Sequence, residues 1–338
     1  MMQNRDEQYM QRALDLARVA EGFTSPNPMV GAVIVYNDRI IGEGYHHCAG
    51  QPHAEVNAVA SVKPEDRALL SESTIYVSLE PCAHVGKTPP CADLLVEKHF
   101  KRAVIAMEDP FPQVAGRGIK RLEDAGIIVK VGVLAKEARA LNCFFLTAVR
   151  EQRPYITLKW SESADGFIDS IRTKECDKPF HFSDALRDKH VHRLRHLHDA
   201  ILVGSHTVAS DNPLLTNRLW WGRSPIRIVL DSGLRSVAPH VRLMHDASAP
   251  VLIVCSEKAP LLCELPSHVS LLRRSDSRPN DLNSLLHEFY ERDIHSVLVE
   301  GGACTLQSFL DSSLYDTIDR EVTAVRLRHG VPAPSLPE

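Results

Sequence analysis

Three residues far apart along the chain, His53, Cys82 and Cys91, constrain its fold more than any other feature. One imidazole and two thiolates are the protein donors of a tetrahedral zinc site that keeps its fourth position for water. A chain that uses them together must bring the segment near residue 53 against the segment near residues 82–91. Bound zinc lowers the pKa of its water towards ~7. Glu55 stands two residues from the histidine, too close to be idle, and is placed to move protons rather than to bind the ion. Taken singly, these would be an ordinary surface histidine and two buried cysteines. The four together, in this order, favour the metal site.

His53-Ala54-Glu55 followed by Pro81-Cys82 and a further cysteine has the H-x-E…P-C-x-x-C form of zinc deaminases that act on cytosine-like or adenine-like rings. The spacing departs from that form. Eight residues, Ala83 to Pro90, separate the cysteines where two are usual. Both sulfurs can still bind one ion if the insert loops out and returns, and Gly86 with Pro89-Pro90 suits a loop. His84 and Lys87 on that loop are candidates for an anionic group of the substrate.

The length of 338 residues suggests two domains, with expected boundaries 1–150 and 151–338. A hydrophobic content of 44% and a charged content of 24% fit a globular chain. The net charge of −4 gives no sign of a basic nucleic-acid surface. No apolar run approaches ~18 residues, so no membrane span is expected. The polar start, Met1 to Glu7, lacks the apolar core of a signal peptide. The eight cysteines are scattered and form no disulfide framework, which favours a reducing cytoplasm.

Residues 7–20 repeat apolar side chains at helical spacing. Met29 to Tyr36 and Ile40 to Tyr45 read as a hairpin turned at Asn37-Asp38. His53 opens a helix just after Pro52. Thr74 to Leu79 reads as a buried strand, Cys91 to Lys98 as a helix, and residues 102–131 as strand, helix, strand. These make a layered α/β sheet with both halves of the metal site at helix starts, where backbone N–H groups are unpaired. After helical and linker-like residues 132–153, a second α/β pattern begins at Tyr155. Ala200 to Gly204, Ile226 to Leu230, Val251 to Val254 and His295 to Glu300 are apolar runs of buried parallel-strand type. Gly301-Gly302 ends the last of them and opens a helix, which lets a phosphate approach backbone N–H groups closely. No G-x-G-x-x-G fingerprint is present.

Further motifs surround the metal residues: Pro26-Asn27-Pro28-Met29-Val30-Gly31, Gly42-Glu43-Gly44-Tyr45-His46, Glu80-Pro81-Cys82 through Cys91, and Val114-Ala115-Gly116-Arg117-Gly118. The carboxyl half adds Lys159 to Gly166, Val191 to Arg195, Asp199 to Gly204, Asp211 to Thr216, Ile228 to Ser232 and Val299 to Gly302. With these motifs the chain resembles the bifunctional deaminase–reductase family of riboflavin biosynthesis, the RibD family, over nearly its whole length. The resemblance implies a cytidine-deaminase-like three-layer domain followed by a dihydrofolate-reductase-like α/β domain. It implies Zn2+ on His53, Cys82 and Cys91, Glu55 as the catalytic proton carrier, and NADPH in the second domain. It places Ser161, Thr207, Asp211, Ser232, Gly301 and Gly302 near the cofactor, and Arg195, Leu215, Arg218 and Glu300 near the substrate. Asn27, His84 and Lys87 would meet the first substrate, a diaminopyrimidinone carrying a ribosyl phosphate. A homodimer or larger assembly is implied as well.

The chain departs from the family at Phe111, at Trp160 and Glu162, and around Pro179-Phe180-His181. Those departures keep a second reading open, a deaminase whose other domain is degenerate or serves dimerisation. A nucleic-acid-editing deaminase is disfavoured by the charge and leaves residues 155–338 unexplained. His190, His192, His196 and His198 are expected to line a solvated helix face, with Arg195 as a surface charge or a phosphate grip. Trp220-Trp221 is expected to cover the core of the second domain.

Overall fold

Gly31–Tyr36 forms strand β1, and its side chains alternate between two cores. Ala32 and Ile34 pack with Ala54, Ala58, Ala92 and Leu95 on one face of a sheet. Val33 and Val35 pack with Met10, Ala13, Leu14, Ala138 and Leu146 on the other. A strand buried on both faces reads as a continuous apolar run, and this one does. The computed structural model describes residues 5–83, 89–111, 115–172, 178–275 and 281–337. The chain divides into two compact units, Met1–Gln152 and Arg153–Glu338.

In the first unit, helix α1 (Arg5–Arg18) precedes β1 and β2 (Arg39–Tyr45). There follow α2 (Ala54–Ala60), a 3-10 helix over Pro64–Glu72, β3 (Thr74–Val77), α3 (Cys91–Glu97) and β4 (Arg102–Ile105). Then come α4 (Arg117–Asp124), β5 (Ile128–Val131), α5 (Ala135–Leu141) and α6 (Cys143–Glu151). The sheet order is β2-β1-β3-β4-β5. β1 is antiparallel to both neighbours, whereas β3, β4 and β5 run parallel. Helices α2, α3 and α4 contribute to one core, and α1, α5 and α6 to the other, which makes three layers. The 3-10 helix was not foreseen. It opens on Pro64, which suits a first helical turn, but its residues lack an apolar helical repeat.

Glycine sets how closely α2 approaches the sheet. A Cβ on Gly44 would lie 2.3 Å from the Ala58 nitrogen and 2.6 Å from the Ala54 oxygen. The helix that begins at His53 therefore rests backbone to backbone on β2, and no other residue type permits that contact.

The second unit is built on β6 (Tyr155–Glu162), β7 (Phe167–Asp169), α7 (Ala185–Leu197), β8 (Ala200–Gly204) and α8 (Ser205–Asp211). It continues with β9 (Ile226–Leu230), β10 (Val251–Ser256), β11 (Val269–Arg274), α9 (Leu282–Tyr290), β12 (Ser296–Gly301), α10 (Ala303–Asp311) and β13 (Thr317–Val322). Seven strands join in the order β11-β10-β9-β8-β12-β6-β13, every neighbouring pair parallel. Helices α9 and α10 bury Leu285, Phe289, Leu306 and Phe309 against one face. Val208 of α8 and the segment 234–244 cover the other.

Two expectations fail here. The histidines of α7 do not form a solvated face: His192, His196 and His198 are buried. His198 Nδ1 donates to the Leu194 carbonyl at 2.8 Å, and Nε2 meets the Thr157 hydroxyl at 2.8 Å. Burial holds its ring neutral by pushing its pKa down to about 4. Trp221 is no cover over the core, since it is 66% exposed and touches the His196 ring at a centroid distance of 5.6 Å. Among the described residues no helix is long and apolar enough to cross a membrane.

Asp6 ties α1 to three strands. Its carboxylate accepts from Arg102 at 2.8 and 2.7 Å, from Lys130 at 2.7 Å and from the Tyr76 hydroxyl at 3.0 Å. The Arg102 guanidinium foremost, then Lys130 and Tyr76, hold the carboxyl well below the usual range against the cost of burial. A depressed carboxylate pKa stabilises the fold above the unfolded value of about 3.9, and that gain is lost as pH falls below it. Asp6→Asn should therefore cost about 2 kcal/mol in urea unfolding at pH 7, and the loss should shrink steadily below pH ~4. An equal loss at pH 7 and pH 2.5 would contradict this.

Candidate functional site

Two helix starts and one strand end meet in the first unit. His53 is the N-cap of α2, in extended conformation, and Glu55 lies in the first turn. Cys91 is the first residue of α3. Cys82 follows β3 through Ser78, Leu79, Glu80 and Pro81. His53 Nδ1 lies 3.6 Å from Cys82 Sγ and 3.3 Å from Cys91 Sγ. All three donor atoms fall within 4.8 Å of one another. Bond lengths of ~2.0–2.1 Å to nitrogen and ~2.3 Å to sulfur at a tetrahedral angle put neighbouring N and S atoms ~3.6 Å apart. The residues thus fit zinc, with Nδ1 as the imidazole ligand. The Cys91 N–H donates to Cys82 Sγ at 3.3 Å, and the Ala92 N–H to the Cys82 carbonyl at 3.1 Å, so the start of α3 grips both ends of Cys82.

The electrostatics suit the chemistry. The hydrogen bond from the Cys91 thiol, then that from His53, lower the Cys82 pKa and so favour the thiolate that a metal ligand must be. The hydrogen bond to Cys82 raises the His53 pKa in turn. Burial pushes the Glu55 carboxyl up to about 7, the range in which one group can both take and give a proton near neutrality.

Asn27 is brought into this neighbourhood indirectly. Its Nδ2 donates to His46 Nε2 at 3.0 Å, and His46 Nδ1 donates to the Pro52 carbonyl at 3.1 Å. The His46 ring stands edge-on to His53 at 5.6 Å. His84 and Lys87 lie outside the described residues.

Glu80, buried beside Pro81, was not singled out from the sequence. Its carboxylate accepts the backbone N–H groups of Asp109, Gly116, Gly118 and Ile119 at 3.2, 3.0, 2.9 and 3.2 Å. It thereby satisfies the open N-terminus of α4 with a negative charge. A Cβ on Gly118 would stand 2.0 Å from the Pro81 carbonyl oxygen, so glycine there lets α4 press against the strand end that carries Cys82.

A second polar cluster lies at the carboxyl ends of β6, β12 and β13, where open parallel sheets place their ligands. Glu300, at the end of β12, takes Arg195 Nε at 2.8 Å and Nη2 at 2.7 Å. Burial raises the Glu300 pKa, but Arg195 more than offsets this and holds the carboxylate ionised. Arg195 is neither a surface charge nor a free phosphate grip, because both edges of its fork are engaged. Its Nη1 donates to the Thr216 carbonyl at 3.1 Å. Arg218 Nη1 reaches the same oxygen at 3.3 Å and Thr216 Oγ1 at 2.9 Å. Leu215, with a positive φ of 57°, is buried and shapes that loop. Lys159 on β6 belongs here as well: burial lowers its pKa, partly countered by Glu300. A lysine between the apolar residues Leu158 and Trp160 of one strand was the available signal for it.

The residues expected near a cofactor do not all converge. Gly302 is the N-cap of α10, and a Cβ there would come within 3.3 Å of Thr207 Oγ1. Gly301 has a φ of 121°. This side-chain-free cradle at a helix N-terminus, beside a hydroxyl, fits a dinucleotide phosphate. Ser161 instead donates to Glu321 at 2.8 Å, and Asp211 pairs with Arg172 at 2.6 Å. The Ser232 carbonyl accepts the Ser256 N–H at 3.1 Å.

Residues 3–107 match the cytidine and deoxycytidylate deaminase zinc-binding region, which spans His53, Glu55, Cys82 and Cys91. Residues 154–320 match the RibD C-terminal domain. The chain is 40% identical over 322 residues to the riboflavin biosynthesis protein RibD of Aquifex aeolicus, covering 94% of this chain and 86% of that protein. It is 39% identical over 331 residues to RibD of Escherichia coli, covering 93% and 86%. The crystal structure of the Thermotoga maritima diaminohydroxyphosphoribosylaminopyrimidine deaminase/5-amino-6-(5-phosphoribosylamino)uracil reductase is similar at a TM-score of 0.87 and 39% identity, over 97% of this chain and 89% of that one.

Metal analysis checks the first site. The purified protein should carry about one zinc per chain, and Cys91→Ser should lower this at least tenfold while the far-ultraviolet circular dichroism is kept, since the fold has its own core and zinc only three protein donors. Retention of zinc by both Cys82→Ser and Cys91→Ser would contradict the assignment.

Proposed function

The chain belongs to the RibD family of bifunctional deaminase/reductases, and on that premise we propose how its residues divide the work. Its activities are those of riboflavin biosynthesis, deamination of diaminohydroxyphosphoribosylaminopyrimidine and reduction of 5-amino-6-(5-phosphoribosylamino)uracil. We assign the first to residues 1–152 and the second to residues 153–338, because the zinc donors lie in one unit and the Arg195–Glu300 cluster in the other. The observation that carries this reading is the convergence of His53, Cys82 and Cys91 beside a carboxyl group tuned near neutrality.

Zinc held by those three side chains supplies an activated water at neutral pH. Glu55 takes a proton from the attacking water and delivers it to the ring nitrogen next to the carbon that bears the amine. It then takes the second proton, from the hydroxyl now on that carbon, and passes it to the departing amine, which leaves as ammonia while the carbonyl forms; one group acts as base and as acid in turn. Asn27, oriented by His46, is our candidate for bonding the ring edge. His84 and Lys87 remain our candidates for the phosphate of this first substrate.

NADPH supplies hydride for the second step, which turns the open-chain ribosyl group into a ribityl group. The cradle at Gly301, Gly302 and Thr207 suits its phosphates, and Ser161 near the end of β6, Asp211 at the end of α8 and Ser232 just after β9 remain our further candidates. Arg195 fixes the Glu300 carboxylate, and half-buried Lys159 beside it is our proton source for the reduced group. Arg218 keeps Nε and Nη2 without an acceptor among the described residues, which suits the substrate phosphate. Family membership supports a homo-oligomer. A cytoplasmic place is supported by the free cysteines, although the related protein of Zea mays is chloroplastic.

One assay separates the halves: ammonia release and NADPH oxidation followed independently, starting from the diaminopyrimidine phosphate with and without NADPH. Glu55→Gln should keep its zinc, lose ammonia release by about 100-fold or more, and still oxidise NADPH when given the deaminated substrate. Substantial ammonia release with full metal content would remove Glu55 from the proton-carrying role.

A further inference from the structure

Arg218 owes its place to a residue that neither half-reaction uses directly. The Arg218 backbone N–H donates to His192 Nδ1 at 2.8 Å. An amide N–H can only donate, so Nδ1 carries the lone pair and the ring is neutral with its proton on Nε2. Arg195 and Arg218 face this ring with Glu300 and Asp188, and burial, then the two guanidiniums, push its pKa down to about 4. The tautomer therefore holds at neutral pH.

The loop that His192 holds is difficult to keep in place. Leu215 lies in the left-handed region, and two guanidiniums meet at a single acceptor, the Thr216 carbonyl. Arg195 has the Glu300 carboxylate to offset that repulsion, whereas Arg218 has only Thr216 and the backbone bond to His192. We propose that His192 is a positioning residue of the reductase site, holding the Arg218 loop so that the free edge of that guanidinium meets the phosphate of the substrate. This rests on the reading of Arg218 as the phosphate contact.

The test is steady-state NADPH oxidation with 5-amino-6-(5-phosphoribosylamino)uracil and with the same compound lacking its phosphate. His192→Leu removes the acceptor. His192→Asn places an amide oxygen near the Nδ1 position, and His192→Gln places it near Nε2. For the phosphorylated substrate, His192→Leu and His192→Gln should raise KM about ten- to thirtyfold, the cost of one buried hydrogen bond left unmade, with kcat within about threefold. His192→Asn should stay near the parent. KM for the unphosphorylated compound should not move in any variant. Far-ultraviolet circular dichroism and the thermal unfolding of residues 153–338 report folding of the unit that holds His192, and if His192→Leu does not fold, the Asn and Gln pair decides. An unchanged KM in His192→Gln, an equal rise for both substrates, or Asn as poor as Gln would overturn the role. Arg218→Gln separates the two layers. If it leaves KM unchanged, the phosphate reading itself fails; if it raises KM while His192→Gln does not, only the positioning role fails.

Discussion

The first site depends on three donor atoms held at the corners of one small tetrahedron. No local segment could do this, since the donors come from the starts of α2 and α3 and from the residue that leaves β3. The sheet supplies the frame. Gly44 lets α2 lie on β2, and the Cys91 N–H reaches the Cys82 sulfur. Glu80 gathers the N-terminus of α4 against the residue before Cys82. Each contact is a backbone approach or a bond to backbone N–H, so the site is rigid because of main-chain geometry rather than side-chain packing.

The second site follows a different logic. Its charges lie along parallel strands, and each buried or half-buried carboxylate is balanced: Glu300 by Arg195, Asp319 by Arg187 and His190, Glu162 by Arg320 and the Trp160 indole. Glu162 and Trp160, two departures from the family pattern, are therefore partners of each other. Neither is a loose polar side chain in the core. A buried carboxylate would cost several kcal/mol without such partners. Among the described residues Arg218 Nε and Nη2 have no protein acceptor, which is the ground on which we assign that edge to a ligand.

Much of this was legible in the sequence, for a physical reason. Zinc chemistry demands particular side chains, and a buried parallel strand demands an unbroken apolar run, so His53, Cys82, Cys91 and strands such as Ala200–Gly204 declared themselves. Glu80 did not, because its four acceptor bonds go to backbone groups that every residue carries. The α7 histidines misled, because a polar residue type suggests solvent until its partners are known. His198 is buried because Leu194 and Thr157 satisfy both ring nitrogens. Asp6 was equally silent, since its partners Arg102 and Lys130 lie about a hundred residues away.

The outermost strand of the larger sheet carries one more consequence. Among the described residues β13 pairs only with β6, and its sequence, Thr-Ile-Asp-Arg-Glu-Val, sets Asp319, Arg320 and Glu321 in a row. Each is drawn inward to a counter-charge on α7 or β6. A foreign strand that tried to extend the sheet would have to settle beside this charged row, with the exposed Val322 at its end as the apolar reward. A row of paired charges on an edge strand disfavours extension of the sheet by another chain.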